Sequence, residues 1–111
     1  MEHLANGMER RWGERVPVNI PVYVSAGAFA GFEGCIKDLS LSGALMKFDC
    51  QLRLHSLIEV HIKLPPPSPR VDIVKAYVSR ELNQGVAIEW CEFAPTIVKD
   101  LLQSASVRLP T

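Results

Sequence analysis

Valine and isoleucine fall on every second residue from Val16 to Val24, with Pro17, Asn19, Pro21 and Tyr23 between them. Successive side chains of an extended chain point to opposite faces. Strict alternation therefore demands a strand with one buried face. The pattern returns at Ile58, Val60, Ile62 and Leu64, separated by Glu59, His61 and Lys63. Proline has no N–H to give to a ladder, so Pro17 and Pro21 predict a first strand that lies partly at an edge or carries a bulge.

The rest of the chain fits the same architecture. Gly27 and Gly31 bracket a turn, and Phe32 to Asp38 reads as the second strand. Leu41-Ser42-Gly43 turns the chain into a third, Ala44 to Phe48. Pro65-Pro66-Pro67-Ser68-Pro69 interrupts the pattern after the fourth strand and reads as a stiff surface loop. Val71 to Arg80 and Val86 to Phe93 make two further strands around Asn83-Gln84-Gly85, a hairpin-type loop. The period then changes. Ile97, Val98, Leu101, Leu102 and Ala105 form one stripe of a helix that starts at Pro95 or Thr96. Five or six short strands and one terminal helix predict an all-β fold, a small antiparallel barrel whose closure removes exposed edges. The helix is expected over one opening or one flank. The 111 residues fit one domain. Its expected bounds are 10–105, with a flexible N-terminal tail at 1–9 and a C-terminal tail at 106–111.

Charge narrows the partners. Twelve basic and twelve acidic side chains cancel, whereas a protein that grips a nucleic-acid polymer normally carries a basic excess. DNA and RNA polymers are therefore not expected as partners. No run approaches the ~20 apolar residues of a membrane span. The N-terminus, MEHLANGMERR, lacks the apolar core of a secretory signal. Cys35, Cys50 and Cys91 are odd in number and far apart, so they are read as buried, reduced thiols of a cytoplasmic protein. His3, His55 and His61 are scattered, and no metal or other cofactor is expected.

Two strings carry the chemistry. Arg10 precedes Arg11-Trp12-Gly13-Glu14-Arg15, which sets two guanidinium forks four residues apart just before the first strand. Asp38-Leu39-Ser40-Leu41-Ser42-Gly43 ends the second. A guanidinium is permanently charged and matches phosphate oxygens or the O6/N7 edge of guanine with two parallel hydrogen bonds. A carboxylate accepts from guanine N1–H and N2–H2, a pair that adenine lacks. A hydroxyl donates or accepts, and a glycine lets backbone and ligand come close. Taken together the strings suit a small, doubly charged, guanine-containing ligand. Read separately, the arginines would be a solvated charged segment paired with Glu9 and Glu14, and the second string a plain turn.

With both strings in order around the first strand, the chain resembles the PilZ domain family, small six-stranded antiparallel barrels that bind cyclic di-GMP. The family pattern is RxxxR before the first strand and D/N-x-S-x-x-G near the end of the second. Here these are Arg11 to Arg15 and Asp38 to Gly43. The Ser42-Gly43-Ala44 step, the Gly85 to Trp90 strand and the closing helix extend the similarity over about residues 10 to 103. The resemblance implies a cyclic di-GMP receptor and adaptor, not an enzyme, that changes the conformation of its N-terminal loop on binding and signals to a separate, unidentified protein. It implies Arg10, Arg11, Arg15, Asp38, Ser40 and Gly43 as ligand-binding residues, with Trp12 either stacking on a guanine or packing on the barrel. In the family an arginine at the position of Arg10 accompanies binding of two stacked ligands. Two other classes stay open. One is a PilZ-type interaction module that works without ligand. The other is an oligonucleotide-binding barrel, which would want a basic groove and several exposed aromatic side chains.

Overall fold

A computed structural model of the chain describes residues 15–27, 31–48, 52–64 and 70–108. The proposed 1–9 tail, Arg10, Arg11, Trp12, the 65–69 loop and Cys50 lie outside these residues. Six strands form a closed antiparallel barrel in the order β1-β2-β3-β6-β5-β4, with β4 paired back to β1. The strands are β1 (Val16–Ser25), β2 (Phe32–Leu39), β3 (Gly43–Lys47), β4 (Leu57–Leu64), β5 (Arg70–Leu82) and β6 (Gly85–Trp90). One helix, α1 (Thr96–Arg108), follows them.

The alternation sorts side chains as the sequence predicts. Val24, Ile36, Met46, Val60, Ile62, Val78, Val86 and Ile88 fill the interior and are almost wholly shielded from solvent. Removing a large aliphatic side chain from water contributes about 1.5–3 kcal/mol, so this interior drives closure. At the end where β2 begins and β3 finishes, Phe32 and Phe48 pack against the core with ring centroids 5.0 Å apart. Ile97 and Val98 of α1 are buried in the same core, with Leu101 and Leu102 packed against it, and the helix lies on β1. The Pro95 carbonyl accepts the first helical bond, from Lys99 N at 3.0 Å.

The prolines of β1 have both predicted consequences. The register between β1 and β2 shifts between Pro17 and Ile20, a bulge. Pairing of β1 with β4 is confined to Val22–Ser25, so the half of the strand that holds both prolines has only β2 as a ladder neighbour. Two more bulges occur, at Lys37 between Ile36 and Asp38, and at Ser79 between Val78 and Arg80. The Ser79 hydroxyl donates to the Ala87 carbonyl at 3.2 Å.

Two expectations need correction. The sixth strand stops at Trp90 rather than Phe93, because the chain bends over Cys91–Ala94 and Ala94 takes φ +46°. Phe93 is 67% exposed. The two cysteines among the described residues are not buried: Cys91 is exposed and Cys35 half-buried. Cys35 shares a strand with inward Ile36 and so faces outward, where its thiol donates to Asn19 Oδ1 at 3.0 Å. Cys91 lies just past the end of β6.

Candidate functional site

The turn between β2 and β3 is built by Ser40, the one buried polar residue among those described, with 1% of its surface exposed. Its N–H donates to the Gly43 carbonyl at 2.9 Å. Its hydroxyl donates to that same carbonyl at 3.1 Å and accepts from Gly43 N–H at 3.1 Å. The Ser42 hydroxyl is 3.2 Å away. The indole N–H of Trp90 donates to the Ser40 carbonyl at 3.2 Å, and the backbone N–H of Trp90 to the Ser42 carbonyl at 3.0 Å. Ser40 thus holds the shape of the corner from within, and β6 pins it from the side.

Gly43 meets a requirement different from the one the string suggests. A Cβ there would lie 2.0 Å from the Ile88 carbonyl oxygen, so the missing side chain makes room for β6 rather than for a ligand. Gly85, at the other end of the β3–β6 pair, is placed likewise: a Cβ at that position would lie 1.9 Å from the Met46 carbonyl oxygen. Leu39 is wholly buried and belongs to the core.

Asp38 is half-buried at the end of β2, opposite Pro17 on one side and Leu45 on the other. Val16 is paired with Leu39. Arg15, the residue before Val16, therefore reaches the barrel at the same end as the Asp38–Gly43 corner, with its side chain exposed. Arg10, Arg11 and Trp12 are outside the described residues, so only one of the three arginines has a position.

The outer surface at this end carries a pair that the motif strings do not contain. Gly43 is registered against Glu89, and Glu89 against Tyr77. Tyr77 Oη donates to Glu89 Oε1 at 2.8 Å. That hydrogen bond, followed by desolvation and the nearby Glu89 charge, raises the Tyr77 phenol above its ordinary value of 10.0. Gly43, Glu89 and Tyr77 are registered across β3, β6 and β5, which carries this pair round the barrel away from Asp38: β2 and β5 are three strands apart in either direction. The corner itself combines the Asp38 acceptor on β2 with the exposed Arg15 guanidinium that leads into β1, groups suited to a polar, anionic ligand.

A family model described as PilZ domain matches residues 9–105. The fold is similar to the crystal structure of the PilZ domain of CeSA from a cellulose synthesizing bacterium, with TM-score 0.63 and 21% identity over 85% of this chain and 96% of that one. It is also similar to the Bacillus subtilis inhibitor of motility MotI/DgrA, with TM-score 0.69 and 18% identity over 85% of this chain and 48% of that one. No curated protein sequence matches the chain.

Proposed function

Because the chain belongs to the PilZ domain family, we propose that it is a cyclic di-GMP receptor that passes the signal to a separate partner protein. The observation that carries this reading is the register of Val16 with Leu39, which brings Arg15 to the corner formed by Asp38, Ser40 and Gly43. Phosphates and guanine Hoogsteen edges engage Arg10, Arg11 and Arg15, and the Asp38 carboxylate accepts from guanine N1–H and N2–H2. Ser40 and Gly43 serve by positioning: the hydroxyl fixes the turn, and the absent side chain lets β6 brace it. Trp12 supplies a face for stacking.

Ligand closure draws the segment that holds Arg10 to Arg15 onto the barrel. Its altered position is the signal a partner reads. PilZ domains are binding and adaptor modules, which favours this reading over an enzymatic one. No helix among the described residues is long and apolar enough to cross a membrane. The test is isothermal titration with cyclic di-GMP, using Arg15→Ala as control. Saturable heat that Arg15→Ala strongly diminishes supports the reading. A flat titration of the unaltered protein would overturn it and favour an interaction module that works without ligand.

A further inference from the structure

Toward the opposite end of β3 from Gly43, the outer wall has a second concavity, a groove of about 570 Å³ lined by Cys35, Lys37, Lys47, Phe48, Asn83 and Gln84. Its volume falls within the range of small-molecule sites, roughly 300–1,000 Å³. Lys47 is registered against Cys35 on one side and Gly85 on the other, so no β6 side chain crowds it. Lys37 is oriented by Asn19, whose Oδ1 accepts from Lys37 Nζ at 2.7 Å. An ammonium has three N–H donors, and Asn19 takes one. Asn83 and Gln84 form the two-residue turn between β5 and β6 and are both exposed. Among the described residues, no carboxylate lines the groove.

We infer that this groove binds a small phosphorylated anion. Two ammonium groups supply the charge, and the amides of Asn83 and Gln84 supply uncharged donors to the remaining oxygens. Lysine serves phosphate as a point charge and needs no planar geometry. Among the described residues the lining itself carries two lysines and otherwise neutral side chains, a local excess of positive charge in a protein whose formal charges cancel. The site is separate from the serine corner and does not depend on guanine recognition.

The test is an NMR titration of the full-length, ¹⁵N-labelled protein with inorganic pyrophosphate. Saturable shifts are expected at the amides of Lys47, Phe48, Asn83 and Gln84, and they should persist in Arg15→Ala. Lys47→Gln should weaken this binding about fivefold, the upper end for an exposed ion pair. Asn83→Asp, a substitution in an exposed turn that tolerates either residue, should weaken it as well by placing a negative charge in the groove. Three results would overturn the inference. Shifts could be confined to Asp38–Gly43, or both variants could bind as the unaltered protein does. A short polyglutamate peptide could also bind the groove more tightly than pyrophosphate, which would make it a protein-docking surface.

Discussion

Ser40 shows how a single side chain can shape a candidate site without facing it. Its hydroxyl satisfies the Gly43 N–H inside the corner, and a buried donor left without a partner costs about 1–3 kcal/mol. Ser40→Ala is expected to lower stability by about that amount, measured by urea denaturation, and to weaken cyclic di-GMP binding through a loosened turn. Gly43→Ala should act on the fold more directly. Its methyl would collide with a backbone carbonyl, and overpacking of this kind costs about 1–3 kcal/mol or more. Arg15→Ala and Asp38→Ala separate recognition from stability. Arg15 is exposed and Asp38 half-buried, so thermal melts of both should stay near that of the unaltered protein. Calorimetry should show binding greatly weakened for Arg15→Ala, and weakened with reduced preference for guanine over adenine for Asp38→Ala. Equal affinity for the two bases in the unaltered protein would refute the assigned role of the carboxylate.

The elements were readable because period two and period 3.6 are imposed by the backbone itself. Val16 to Val24 and Ile58 to Leu64 declared their strands, and Ile97, Val98, Leu101 and Leu102 declared the helix. Register was another matter, since a bulge leaves no mark on the alternation until the partner strand is known. The hairpin turn pairs Leu82 with Gly85, and a regular ladder would continue to Tyr77 opposite Trp90. The extra residue at Ser79 instead sets Tyr77 opposite Glu89. Without that bulge there is no Tyr77–Glu89 pair, so the two strings disclosed the serine corner but gave no sign of this hydrogen bond. The cysteines misled for a related reason: residue type argued for burial, while strand parity turned Cys35 outward. The Tyr77 bond has a consequence at alkaline pH. Its folded pKa is raised, so its contribution to stability is complete below the ordinary value of 10.0 and is lost as pH rises through the folded value. Spectrophotometric titration should find one tyrosine ionising late, and Glu89→Gln should bring that ionisation to lower pH. In the helix, Ile97→Ala removes a side chain that is 3% exposed and should cost about 2–5 kcal/mol in denaturant unfolding.

At the scale of the molecule, the barrel is a rigid frame with its two candidate anion sites at opposite ends of β3. Formal charges cancel over the whole chain, so attraction to a dinucleotide must come from local cations, and such attraction is screened by salt. Raising ionic strength from about 0.05 M to about 0.5 M shortens the Debye length severalfold, and cyclic di-GMP affinity should fall with it in calorimetry. An affinity insensitive to salt would mean that the phosphates are not held by the arginines. The seam of the barrel adds a mechanical asymmetry. From Val16 to Pro21 the strand is laddered to β2 alone, with a break at the bulge between Pro17 and Ile20, while Val22 to Val24 are laddered on both sides. A tug applied through Arg15 meets the singly held rungs first and peels them in sequence, like a zipper opened from its tab. The remainder of the cylinder keeps its shape until the doubly held rungs are reached.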